Sequence, residues 1–207
     1  MKKIILLIIS LITLQTNAQF RGLEWGSSMK VAIEKYGKPD IEGDGWIGYY
    51  YKLAGESTLS GFYYKHDKLY GGAYILNETH SNNNLYIDDY NKFKNLLSKK
   101  YGAPKMEETY WKDDLFKDDY SSWGMAIARG DMFMYSTWSD EKTDIECSIV
   151  GDNYSITCKI LYKSIELKDW VDEIKEDEDL KQTRECIHVA RKILSQPALS
   201  EHAGKEV

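Results

Sequence analysis

Two copies of one short motif, Lys35-Tyr36-Gly37-Lys38-Pro39 and Lys100-Tyr101-Gly102-Ala103-Pro104, constrain this chain more than any other feature. Each closes a short amphipathic segment, and each is followed at the same distance by a Trp, Trp46 or Trp111. The offset of 65 residues also sets Val31 against Leu96 and Ala32 against Leu97. A repeat held through a helix, its stop signal and the next strand predicts a duplicated supersecondary unit. The motif itself reads as a helix end. Gly takes the left-handed backbone just past the last turn, and the Pro two residues on prevents the helix from resuming.

Residues 1–18 have the form of a secretory signal peptide: Lys2 and Lys3, an apolar run from Ile4 to Leu14, then the small-residue exit Thr16-Asn17-Ala18. Cleavage would leave Gln19 at the mature end, with no Cys there to carry a lipid. No other apolar run is long enough to span a bilayer, so no stable membrane span is expected after cleavage. The expected location is periplasmic or secreted. Without Lys2 and Lys3 the chain keeps 25 of its 27 basic residues against 33 acidic ones, a net charge of about −8. A chain of that sign repels phosphate backbones, so nucleic acid is not an expected partner.

The local patterns place a helix over Met29 to Tyr36, capped by Ser27 or Ser28. Strands follow over Trp46 to Leu53, Leu59 to Lys65 and Leu69 to Leu76, the last two forming a hairpin about His66-Asp67-Lys68. Gly71-Gly72 inside a strand points to a bulge or a close backbone approach. A second helix, Tyr90 to Tyr101, is expected to start from a cap at Asp88 or Asp89. Strands are then predicted over Glu107 to Lys112, Trp123 to Arg129 and Met132 to Ser139, with an acidic loop Asp113 to Tyr120. A final hairpin alternates Ile145, Cys147 and Ile149 against Ile156, Cys158 and Ile160. A turn at Asp152-Asn153 would set Cys147 opposite Cys158, leaving a disulfide and two buried thiols both open. Beyond Glu166, the residues Leu167, Trp170, Val171 and Ile174 form one apolar helical stripe that must dock on something.

The expected fold class is α+β: two tandem helix-plus-antiparallel-sheet units with an added C-terminal helix. The expected segments are 1–18 signal peptide, 19–85 first unit, 86–165 second unit, 166–195 C-terminal helical segment and 196–207 disordered tail.

Reaction chemistry is hard to find. There is no Gly-x-Ser-x-Gly elbow, and His66 and His80 sit in a turn and a polar loop, where an imidazole needs no function. Asp88-Asp89, Asp113-Asp114 and Asp118-Asp119 lack the alternating loop pattern of a calcium site and read as solvated acids. No phosphate-cradling loop or dinucleotide fingerprint is present, so no cofactor is expected. Arg129-Gly130-Asp131 spells an adhesion tripeptide but falls where a turn is needed.

The aromatic load is more informative. Tyr49, Tyr50 and Tyr51 in a row put rings on both faces of one strand, and Tyr63 and Tyr64 repeat this on the next. One face must pack under the helices, and the other presents Tyr to solvent or to a partner. Tyr49, Tyr50, Tyr51, Tyr63 and Tyr64 are therefore the candidate binding residues, expected to meet a protein of the cell envelope. An envelope hydrolase with a site assembled from sequence-distant residues is the competing expectation.

Gly26-Ser27-Ser28-Met29-Lys30-Val31, then Gly37-Lys38-Pro39 and a Trp-led strand, resemble the SmpA/OmlA-like lipoprotein family of outer-membrane assembly. The tandem arrangement is similar to that of secreted β-lactamase inhibitor proteins. The opening Phe20-Arg21-Gly22-Leu23-Glu24-Trp25-Gly26 resembles that of small exported bacterial proteins. The likeness is best to about residue 76, bears on fold more than role, and transfers no contact residue.

Overall fold

The computed structural model describes residues 20–167. The expected signal peptide, nearly all of the C-terminal helical segment and the tail lie outside the described residues, as do Cys186, His188 and His202.

The elements are α1 (Met29–Tyr36), β1 (Ile41–Gly43), β2 (Trp46–Leu53), β3 (Glu56–Lys65), β4 (Lys68–Leu76), α2 (Leu85–Tyr101), β5 (Met106–Trp111), a 3-10 turn (Tyr120–Ser122), α3 (Trp123–Arg129), β6 (Met132–Ser139), β7 (Thr143–Asp152) and β8 (Ser155–Ser164). All eight strands form one antiparallel sheet in the order β1-β2-β3-β4-β8-β7-β6-β5. This corrects the expectation of two helix-plus-sheet units. The predicted boundary near residue 85 does not divide the sheet, because β4 pairs directly with β8, from Gly71↔Lys163 to Ile75↔Lys159. The result is a sheet-dominated fold whose middle is a pairing between distant parts of the chain.

The repeated motif behaves as its chemistry requires. Gly37 and Gly102 cap α1 and α2 with nearly the same backbone, φ 83 and ψ −167 against φ 85 and ψ −165. Each glycine carbonyl then accepts from an aromatic donor on a strand, Tyr49 Oη at 2.9 Å and Trp138 Nε1 at 3.0 Å. The aligned helix positions also match: Val31 and Leu96 are exposed, Ala32 and Leu97 buried. The two Trp do not correspond. Trp46 opens β2 and is buried, whereas Trp111 closes β5 and packs edge-on against Trp123.

One face of the sheet holds the main core. Phe20, Leu23, Ala32, Ile47, Phe62, Leu69, Ile87, Tyr90, Phe93, Ile127, Cys147 and Ile160 are among its members, so the lead-in, α1, α2 and α3 lie on this side. Gly72 supports that packing, since a Cβ there would sit 2.3 Å from the Phe20 ring. The expected irregularity also appears nearby, as a bulge between Tyr63 and Tyr64, where the β3 partner steps from Gly71 to Leu69. Ser28 holds the N-cap position of α1, but the capping bond comes from elsewhere: Asp67 Oδ1, on the β3–β4 turn, accepts from Met29 N at 2.9 Å.

Several local expectations are overturned. Trp123–Arg129 is a helix, with Gly124, Ala126, Ile127 and Ala128 buried. Its Trp123/Met125/Ile127 alternation resembles a strand, but small residues let the turn sit against neighbouring backbone. A Cβ on Gly151 would lie 1.8 Å from the Ile127 carbonyl oxygen, and one on Gly124 2.4 Å from Asn84 N. α2 begins five residues before the expected Tyr90, with Asn84 at its N-cap. Asn84 Oδ1 accepts from Gly124 N at 2.6 Å and its Nδ2 donates to Tyr120 O at 2.9 Å, so its side chain ties the start of α2 to the 3-10 turn and the first turn of α3. Gly130 is the left-handed cap of α3, and Arg129 pairs with Asp131 at 2.9 Å, which removes the adhesion-loop reading.

The last hairpin turns at Asn153-Tyr154, one residue later than expected. The slip moves the register by two, so every side chain keeps its face. Cys147 faces Ile160 and Cys158 faces Ile149. Diagonal Cα atoms are about 7–8 Å apart, too far for an unstrained bridge, and both cysteines are buried free thiols. Among the described residues no helix is long and apolar enough to cross a membrane.

Candidate binding surface

The five tyrosines expected to bind a partner are not brought together. Tyr49 pairs with Ser60 and Trp46 with Tyr63, so odd positions of β2 share a face with even positions of β3. Tyr49, Tyr51 and Tyr64 therefore lie on the helix side, and Tyr50 and Tyr63 on the other. Tyr49, Tyr63 and Tyr64 are buried. Burial pushes the Tyr64 hydroxyl far above its ordinary pKa, as befits a core ring. Tyr51 is exposed, yet one side of its ring is taken by Arg21. The guanidinium lies 4.4 Å from the Tyr51 centroid and 4.6 Å from that of Tyr36, clamping the lead-in onto the sheet. Tyr50, on the opposite face, is also partly open, beside Asp40, whose carboxylate accepts from Tyr50 N.

An exposed aromatic surface exists elsewhere. On β5 and β6, strand alternation sends Thr109 and Met134 toward the helices and Tyr110, Phe133 and Tyr135 to the opposite face. Antiparallel pairing sets Tyr110 opposite Phe133 and Glu108 opposite Tyr135. Tyr110 and Phe133 centroids are 4.9 Å apart, and Phe133 and Tyr135 stack at 6.1 Å with 23° between planes. Tyr135 Oη donates to Glu108 Oε2 at 2.8 Å and lies 3.3 Å from Met106 Sδ, which locks the ladder's end ring. The accepting carboxylate holds the Tyr135 pKa above its ordinary value, with burial a lesser cause. Tyr110 is 52% and Met106 46% exposed, and every β5 residue except Trp111 is exposed.

Next to the ladder along the same strands is a cleft of about 320 Å³. Its walls carry Lys105, Asp144, Glu146 and Lys163, with Thr137 and Leu161 between them. Asp144 lies directly across from Lys163, and Lys105 Nζ donates to Ser139 Oγ. Rows of residues thus cross the strands in sequence: rings, then an apolar and polar mix, then charges of both signs. A surface of this kind can bury rings at its centre and pair charges at its rim.

Among the described residues the most enclosed ionic group lies elsewhere, and it departs from the sequence-based expectation. Asp89, expected as a solvated helix cap, is buried; its Oδ2 is 2.6 Å from His80 Nε2 and its Oδ1 3.0 Å from Lys92 Nζ. Lys92 also reaches Glu56 at 2.6 Å, and the Tyr86 ring meets the His80 ring edge-on at 4.6 Å. Hydrogen bonds to Glu56 and then Asp89 raise the Lys92 pKa well above its ordinary value. This network ties the polar loop and β3 to α2. Among the described residues no Ser, Thr or Cys side chain bonds to His80, and neither His80 nor Asp89 lines the cleft. Among the described residues no three His, Cys, Asp or Glu side chains are grouped to hold a metal ion.

The ladder left a trace in the sequence, because Glu108 and Tyr110 hold one parity on the predicted strand Glu107 to Lys112, and Phe133 and Tyr135 hold one parity on Met132 to Ser139. The buried Asp89 carried no such signal. Its partner His80 is nine residues away across a loop.

Compared with known proteins, the chain matches no family model, no curated protein and no solved structure.

Proposed function

We propose that this is an exported, non-catalytic binding protein of the cell envelope, which contacts a protein partner through an aromatic sheet face. The observation that carries the reading is the ladder Tyr110–Phe133–Tyr135, with Tyr110 exposed and Phe133 and Tyr135 half-buried, on strands whose other face is anchored in the core. Rigid amphipathic rings lose little entropy on binding and dominate contact energies. The adjacent charged cleft supplies a rim for orientation. Export rests on Lys2-Lys3, the apolar run and Thr16-Asn17-Ala18.

The test is affinity capture from envelope extract with the intact chain and with Tyr110→Ala, Phe133→Ala and Tyr135→Ala. Each substitution should leave the melting temperature nearly unchanged and weaken the captured complex by about 1–2 kcal/mol, roughly five- to thirty-fold. Equal capture by wild type and the triple variant would remove the ladder from any binding role.

A further inference from the structure

The sheet face opposite the helices carries a second apolar cluster. It comprises Ile41, Trp46, Leu59, Tyr63, Tyr70, Ala73 and Ile75, with Leu161 and Leu167 packed against it. Among the described residues no helix contributes to it. Its side chains lie low over glycines: a Cβ on Gly48 would meet Ile41 Cγ1 at 2.9 Å and Leu59 Cδ1 at 3.0 Å. Tyr63 likewise approaches Gly61 and Gly71, at 3.3 and 3.4 Å from the Cβ positions these would have. The outcome is a smooth apolar floor across β1–β4. Trp46 and Leu59 are 1% exposed and Ala73 0%. A sheet face open to water does not reach such burial by its own side chains.

Leu167 identifies the occupant. It is the last described residue, it already touches the floor, and 40 residues of chain follow it. Those residues continue the stripe Leu167, Trp170, Val171, Ile174, at the spacing of one helix face. We propose that this stripe docks on the β1–β4 floor, so that the chain's own C-terminal segment forms a third layer over half of the outer sheet face. Covalent attachment at β8 gives the stripe an effective concentration of about millimolar or more, which a separate partner would have to exceed. The outer face is thereby divided. Its β1–β4 half is sealed from within the chain, and its β5–β7 half, with the ladder, stays open to a partner.

The experiment uses the full chain with a photo-crosslinking phenylalanine in place of Tyr50, a half-open residue at the floor's rim paired with Leu59. Irradiation followed by peptide mass spectrometry should give an intrachain link to a peptide from 166–178. A link between two molecules of the chain, or links only to other segments, would overturn the docking. In parallel, Trp170→Asp and Val171→Asp should raise binding of an apolar fluorescent dye several-fold and speed hydrogen exchange in β2–β4. The off-stripe Lys168→Asp should do neither. Should the Asp variants fail to fold while Lys168→Asp folds, the stripe is again shown to be buried. Wild-type behaviour of both Asp variants would overturn the proposal.

Discussion

Cys147 and Cys158 show how a single buried group couples this protein's stability to pH. Desolvation in the core raises both thiols above their ordinary value of 9.0, with nearby charge a smaller cause. The unfolded chain therefore loses these protons first. Stability is complete below that pH and declines above it, by up to about 1.4 kcal/mol per pH unit for each thiol. Denaturant midpoints measured from pH 8 to 11 should fall, and Cys158→Ala should fall less steeply. Alkylation of the native protein at pH 8 should leave both residues unmodified. Asp89 makes the complementary point. Its carboxylate is buried yet bonded on both oxygens, by His80 and Lys92, so its burial leaves no unmet charge.

At the scale of elements, the two helix ends give the cleanest prediction. Gly37 and Gly102 combine positive φ with ψ near 180°, a region essentially reserved for glycine. A Cβ at either site would meet nothing within 4 Å, so substitution tests the backbone alone. Gly37→Ala and Gly102→Ala should each destabilise by about 1–3 kcal/mol, measured by thermal melting, while the exposed Lys38→Ala changes little. These ends were legible because Gly-x-Pro is local chemistry, and so were α1, β2, β4 and the faces of the last hairpin. What could not be read is what only tertiary contact decides. α3 is a helix because Gly124 and Gly151 let its backbone approach α2 and β7, while its own alternation argues for a strand. Tyr63 and Tyr49 fall on opposite faces because of a pairing register that no short stretch encodes.

For the whole molecule, the continuous sheet replaces two expected units with one. β3, β4, β8 and β7 each share hydrogen bonds with both neighbours, so no seam of weak contacts crosses the middle. Urea unfolding should therefore follow one transition, with coincident curves from far-ultraviolet dichroism and tryptophan fluorescence. Two resolved transitions would restore independent units. The sheet's central pair also sets an order of events in time. β4 ends at Leu76, and its partner β8, the last strand among the described residues, is not complete until Ser164. Until then β4 presents an open edge, and the pairing that completes the sheet must close a loop of dozens of residues. Pairings of such long range form slowly, over milliseconds to seconds. A chain that emerges from its N-terminus therefore carries this bare edge until β8 follows, and in that interval a strand of another molecule could take the place β8 is to fill.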